Sequence, residues 1–246
     1  MPKTLILIPS RLAASRLPGK PLLKINGLSI ISHVFNKAKK SNVGEAYVCT
    51  GDKEIYEDVR NNGGNCILTQ KEHKTGTDRI YEGFQKLNLS NVDYILNLQG
   101  DEPTIDVEDI KKMNSIACKN ESNVATLASQ INGKEKLNEE NIVKVQTKED
   151  LKLKDFSHAI KFFRISNNLN SNNVYHHIGI YQYRTSILKK FVELAQTKSE
   201  IKYKLEQLRV LENEINIDVI LAKSAPIGID TKKDYMEIKK FMEYKS

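Results

Sequence analysis

The first hundred residues alternate short apolar runs with amphipathic stretches, and that alternation most narrows the folds open to this chain. Residues 4–8 (TLILI) read as a buried strand, Ile30, Ile31, Val34, Phe35 and Ala38 recur at helical spacing, and residues 46–49 (AYVC) form the next apolar run. Strand, helix and strand in that order predict β-α-β units around a mostly parallel sheet. The pattern then repeats. Asp52 is expected to cap a helix running to about Asn62 and ended by Gly63-Gly64, before a strand at 66–69. Thr77 is expected to cap a further helix carrying Ile80, Phe84 and Leu87 on one face, followed by a strand at 94–98 and a helix at 106–119.

From about residue 124 the texture changes. Residues 124–131, 141–147, 158–164 and 175–183 are strand-like and lie close together, which predicts antiparallel or mixed pairing. Helices return at about 185–195 and 199–213, a strand follows at 215–222, and Thr231-x-x-Asp234 has the form of a capping box. No Pro/Gly/Ser linker divides the chain, so 1–246 reads as a single domain whose strand-rich part, about 124–183, is an insertion. The Asn-rich stretch 166–173 reads as a mobile loop.

Composition excludes several classes. With 246 residues, 39% apolar and 28% charged, the chain is neither disordered nor fibrous. Cys49, Cys66 and Cys118 form no CxxC pair, so neither a disulfide framework nor a zinc knuckle is expected. The opening apolar run is too short for a signal sequence and no stretch approaches the ~20 apolar residues of a membrane span. A cytoplasmic protein with no membrane partner is expected. The net charge of +7 is concentrated: residues 1–44 hold Lys3, Arg11, Arg16, Lys20, Lys24, Lys37, Lys39 and Lys40 and no acid. A surplus so placed points to a local anionic ligand rather than to a general nucleic-acid surface. Lys37, Lys39 and Lys40 suit a helix C-terminus.

Arg11, Arg16 and Lys20 belong to a loop directly after the first strand, Arg11-Leu-Ala-Ala-Ser-Arg-Leu-Pro-Gly-Lys20. Ligands of open α/β sheets bind at such strand ends. The cations can neutralise phosphate oxygens, Ser15 can donate a hydroxyl, and Gly19 allows close backbone approach. A solvated basic turn is the alternative. The loop is neither a Walker motif nor a dinucleotide fingerprint. Asp101, in Gln99-Gly-Asp-Glu-Pro103, ends a second strand where a carboxylate could hold Mg²⁺ beside a polyphosphate, and Asp230 repeats the form late in the chain. A plain helix cap is the alternative for Asp230. His176 and His177 are strand neighbours pointing to opposite faces, so they cannot share a metal, and no HExxH or GxSxG is present.

Residues 11–22 (RLAASRLPGKPL), 73–79 (HKTGTDR), 98–103 (LQGDEP), 177–181 (HIGIY), 205–209 (LEQLR) and 228–231 (GIDT) form one ordered set. Together they resemble the CMP-Kdo synthetases, the 3-deoxy-manno-octulosonate cytidylyltransferases, in register over about 1–240. The resemblance implies an α/β fold of the nucleotide-diphospho-sugar transferase type: a Rossmann-like mixed sheet with a smaller dimerisation subdomain, working as a homodimer. It implies that CTP activates the keto-sugar acid Kdo for lipopolysaccharide biosynthesis, releasing pyrophosphate. It gives Pro9, Arg11, Ser15, Lys20, Thr75, Gly76 and Arg79 to the nucleotide, Asp101 and Asp230 to Mg²⁺, and Lys20, Arg16, Asp101 and Asp230 to catalysis. Gln99, Arg164, His177, Tyr181, Glu206 and Gln207 go to the sugar acid.

Three places depart from the usual family pattern: Leu12 where an aromatic is common, Asn138-Glu-Glu-Asn141 in place of Asn-Pro-Asn, and bulky Phe163 where a small hydroxyl residue is usual. They leave open a modified acceptor such as 8-amino-Kdo or another keto-sugar acid. A noncatalytic nucleotide- or RNA-binding protein is the alternative of another class.

Overall fold

The computed structural model describes residues 2–13, 16–131, 133, 137, 139–165 and 172–244. The chain divides into two compact units, Met1–Lys111 with Pro226–Ser246, and Lys112–Ala225. The strand-rich part expected at 124–183 falls inside the second.

In the first unit, β1 (Thr4–Ser10) is buried along nearly its whole length, as an uninterrupted apolar run in a covered parallel sheet should be. A short hairpin, β2 (Lys24–Ile25) and β3 (Leu28–Ser29), leads into α1 (Ile30–Ser41), whose buried face is the predicted apolar stripe. Ser29 caps α1 by accepting from the Ser32 amide, and Asn42 ends it in the left-handed region. β4 (Gly44–Thr50), α2 (Lys53–Asn61), β5 (Cys66–Leu68), α3 (Gly76–Leu87) and β6 (Tyr94–Asn97) follow. Strand order within this unit is β5-β4-β1-β6, every pairing parallel. Ser10, Thr50, Leu68 and Asn97 therefore end on one edge, and the loops after them share it. α8 (Lys232–Tyr244) packs into the same unit through Ile238, which with Ile229 just before the helix is fully buried against Ile25 and Ile30. Each such side chain contributes roughly 1.5–3 kcal/mol of burial. The Tyr235 hydroxyl adds a bond to the Lys24 carbonyl at 2.7 Å.

α4 (Val107–Lys119) carries the chain into the second unit. There β7 (Val124–Ser129), buried at every residue, pairs antiparallel with β10 (Val174–Arg184) and parallel with β11 (Ile217–Leu221). β9 (Ser157–Phe163) runs antiparallel to β11, and β8 (Lys144–Thr147) runs antiparallel to both β9 and β10. The mixed pairing expected here is present. β10 slips register between Ile178 and Tyr181, and the Thr126 hydroxyl donates to the Ile180 carbonyl at 2.7 Å beside that slip. α5 (Thr185–Glu193), α6 (Lys198–Tyr203) and α7 (Gln207–Glu212) complete the unit.

Three expectations about helices need correction. α3 begins at Gly76 and is capped by Thr75 rather than Thr77, because Thr75 and Asp78 bond each other's backbone amides reciprocally. The single helix expected at 199–213 is two, broken where Lys204 takes φ 53°. Asp52 stands at the α2 N-cap but makes no cap bond; its carboxylate accepts from the Leu12 amide at 2.8 Å instead.

Candidate active site

The loop after β1 is held in shape from within and from α2. Gly19, at φ 68°, takes a conformation other residues adopt with strain, and its amide bonds the Leu12 carbonyl at 3.2 Å. The Asp52–Leu12 bond fixes the start of the same loop. Lys20, its side chain 13% exposed, then reaches across the strand ends. Its ammonium donates to Asp101 Oδ2 at 2.6 Å and to the Ile229 carbonyl at 2.6 Å, and lies 3.5 Å from Asp230 Oδ1. Arg16 pairs with the other Asp230 oxygen at 3.0 Å. The Ile229 amide donates to the Asp101 carbonyl at 3.0 Å, so the 228–231 segment is stitched to the end of β6. Gly100 is required there: a Cβ on it would lie 2.8 Å from the Pro9 carbonyl.

Around this cluster lies a cavity of about 360 Å³, a volume suited to a small ligand. Pro9, Arg11, Arg16, Lys20, Asp101 and Asp230 line one part of it, and Thr75, Gly76, Arg79 and Gln99 another. The structure thus gathers the residues given to nucleotide and metal, apart from Ser15, which lies outside the described residues. No group of three or more His, Cys, Asp or Glu side chains forms a ready metal cluster among the described residues. The donor set nevertheless fits a divalent cation that keeps water and phosphate ligands, because two carboxylates already converge on one positive group. Glu102 is buried beside the same acids. Burial first, then Asp101 and Asp230, push its carboxyl up to about 8 against the opposing Lys20 charge, and its Oε2 is buried with no hydrogen-bond partner among the described residues.

The α3 wall is built differently. Three side chains on one helical face bond the loop before the helix: Arg79 donates to the Thr69 hydroxyl and to the Gln70 and Lys71 carbonyls at 2.7–3.0 Å. Glu82 accepts from the Gln70 amide at 3.0 Å and from His73 Nε2 at 2.6 Å, while Lys86 reaches the Leu68 carbonyl at 2.8 Å. Burial alone would raise the Glu82 carboxyl, but hydrogen bonds from Lys86, Gln70 and His73 outweigh it and hold the group below its usual range. Arg79 lines the cavity, yet its terminal nitrogens make three bonds to the loop. His73 and Lys74 also line the cavity, and residue-by-residue reading missed both although they lie in the 73–79 motif.

In the second unit, Phe162, His177 and Tyr181 meet ring to ring, with centroids 5.0 and 5.5 Å apart. Burial holds His177 down to about 3, and raises the Tyr181 phenol well above its ordinary value with help from Tyr183 and Glu206. The Tyr181 hydroxyl is buried with no hydrogen-bond partner among the described residues. Gln207 is buried at the start of α7, next to Glu206. A buried pair between Arg209 and Glu200 holds that start against α6, with Nε to Oε2 at 2.8 Å. Arg164, just past β9, donates to the Glu140 carbonyl at 3.1 Å and to the Tyr203 carbonyl at 3.5 Å. Phe163 lies under the Lys161 ammonium at 5.1 Å, on the strand face opposite Phe162. Gln99, the remaining residue given to the sugar acid, lines the cavity of the first unit.

A family model described as cytidylyltransferase matches residues 5–217. A 3-deoxy-manno-octulosonate cytidylyltransferase of Rhodopseudomonas palustris (strain BisB5) is 40% identical over 235 residues, 95% of this chain and 95% of that protein. One of Brucella ovis is 40% identical over 233 residues, 94% of this chain and 92% of that protein. Among solved structures, CMP:2-keto-3-deoxy-manno-octonic acid synthetase complexed with CTP aligns with a TM-score of 0.89 at 32% identity, covering 99% of this chain and 100% of that one. UDP-glucose pyrophosphorylase complexed with UDP-glucose aligns with a TM-score of 0.73 at 15% identity over 100% of both chains, a likeness of fold.

Proposed function

The chain belongs to the 3-deoxy-manno-octulosonate cytidylyltransferase family, and we propose from that premise how its own residues carry the reaction. It is a nucleotidyltransferase that couples CTP to Kdo, giving CMP-Kdo and pyrophosphate. The observation that carries the assignment of roles is the Lys20–Asp101–Asp230–Arg16 cluster inside the cavity at the strand ends.

Arg11, Lys20 and the backbone around Pro9, Thr75 and Gly76 bind CTP, with Ser15 contributing its hydroxyl. The sugar acid falls to Gln99, Arg164, His177, Tyr181, Glu206 and Gln207. The anomeric hydroxyl of Kdo attacks the α-phosphorus in line; the new P–O bond forms as the bond to the bridging oxygen breaks, the hydroxyl proton passes to solvent, and pyrophosphate departs. Lys20 and Arg16 offset the charge gathering on that leaving group. Holding both substrates in one orientation supplies much of the rate. Asp101 and Asp230 are the residues that would hold Mg²⁺, which when bound would polarise the phosphoryl oxygen and make the attacking hydroxyl more acidic.

The same reading places the reaction in lipopolysaccharide biosynthesis, in the cytoplasm, without a nucleic-acid partner. No helix among the described residues is long and apolar enough to cross a membrane. A homodimer is supported by apolar side chains left half-exposed on the second unit, Ile160, Ile165, Ile201 and Tyr203.

The test is pyrophosphate release from CTP, Kdo and Mg²⁺, run beside ATP, GTP and UTP, and with Kdo or metal omitted. Release confined to the complete mixture supports the scheme, and release undiminished by metal removal overturns the role of Asp101 and Asp230.

A further inference from the structure

Lys144 is a lysine with no exposed surface, and it makes no hydrogen bond to a carboxylate among the described residues. Its ammonium instead donates to three main-chain carbonyls: Glu139 at 2.5 Å, Ile142 at 2.9 Å and Arg164 at 2.5 Å. Burying a charge without an ion pair is expensive, so three well-directed dipoles are the least that can hold it. Burial accordingly lowers the Lys144 ammonium, Glu139 opposes that shift, and the Arg164 guanidinium adds to it.

The cage has a direction. Lys144 opens β8, opposite Phe163 on β9 and His176 on β10, and the preceding Val143 carbonyl accepts from the His177 amide at 2.9 Å. Two of its carbonyls come from the 139–142 turn and the third from Arg164 itself. The Arg164 guanidinium in turn donates to the Glu140 carbonyl of that same turn at 3.1 Å and to the Tyr203 carbonyl at the end of α6. The Arg164 backbone is thereby tied to the turn by the Lys144 ammonium, and its side chain to the same turn by its own guanidinium. Among the described residues neither cation has a carboxylate within ion-pair distance, and only the Glu139 charge offsets Lys144 from further off, so the Arg164 guanidinium is left able to meet an anion.

We propose that Lys144 is a positioning residue for the sugar acid: its carbonyl-bound ammonium fixes the 139–142 turn and Arg164 so that the guanidinium is presented to the substrate carboxylate. This rests on the reading that Arg164 recognises the sugar acid. A turn and a strand end tied only by local bonds would leave a long guanidinium free among several rotamers, and pre-orientation removes that cost from binding.

The test is steady-state kinetics on the full chain, with Kdo varied at saturating CTP and CTP varied at saturating Kdo. Lys144→Met keeps the stem and removes the donors. It is expected to raise KM for Kdo about tenfold, the scale of one hydrogen bond to a charged group, while KM for CTP stays within about twofold. Arg164→Met, measured beside it, distinguishes the two layers. An unchanged KM for Kdo in Arg164→Met overturns the sugar-site reading itself; a raised one there with Lys144→Met unchanged overturns only the role of Lys144. Equal rises for both substrates in Lys144→Met also overturn it, since that is a general loosening. If Lys144→Met does not fold, Lys144→Arg carries the test, keeping charge and donors at a different reach. A rise confined to Kdo supports the role, and no rise or an equal rise for both substrates overturns it.

Discussion

Tyr181 places a phenol where the described fold offers its hydroxyl no hydrogen bond. A buried donor left unmade costs stability, so removing it should cost nothing and can return some. Tyr181→Phe is therefore expected to melt no lower than the parent chain while raising KM for Kdo about tenfold, measured by thermal unfolding beside pyrophosphate release. Its ring neighbour His177 answers to pH. Held at about 3 when folded against an ordinary 6.5, the imidazole binds fewer protons in the native state than in the unfolded one between those values. Stability then rises with pH across that window and is lost as pH falls from about 6.5 toward 3. His177→Gln is expected to flatten that acid limb in melting temperature recorded against pH, and an unchanged slope counts against the buried neutral ring. At the other chemistry, Asp101→Asn is expected to keep the fold and lower kcat at least ~100-fold, the scale of one well-placed electrostatic group.

At the scale of elements, α3 is a clamp: Arg79, Glu82 and Lys86, spaced along one face, all bond the 68–73 loop. Glu82→Gln weakens the bonds from His73 and Lys86 together, and is expected to raise KM for CTP several-fold with KM for Kdo nearly unchanged, at a scale of ~1–2 kcal/mol. Little of this was legible in advance, for a reason the helix shows. Periodicity marks the buried face of α3, and Ile80 is buried as that pattern requires. Which threonine caps it depends on backbone conformation, and only the fold brings Thr75 and Asp78 into reciprocal bonding. Asp52 teaches the same lesson. Its residue type and position read as a cap, but a long-range partner, the Leu12 amide, claims the carboxylate. The parallel strands of the first unit were readable because short apolar runs bury on both sides, whereas the break at Lys204 carried no local signal, lysine being an ordinary helix residue.

For the molecule as a whole, four of the six motifs place residues on one cavity, though Asp101 and Asp230 lie 129 positions apart. Sequence could name both as acids ahead of helical stretches; that one ammonium joins them is a property of the folded chain. Removal of divalent cations by a chelator is expected to abolish turnover and to lower the melting temperature only modestly, because Lys20 continues to pair both carboxylates. The first unit is discontinuous in sequence, resuming at Pro226 after the whole second unit has been made. During synthesis domains form as their residues emerge, so β1, β4, β5 and β6 can associate early, while Ile229 and Asp230 appear only after the second unit has been made. Assembly of the Lys20–Asp101–Asp230 cluster thus waits until the ribosome has passed the whole second unit: a messenger cut short before Asp230 yields a product that can assemble strands but leaves the Lys20 ammonium without its second carboxylate.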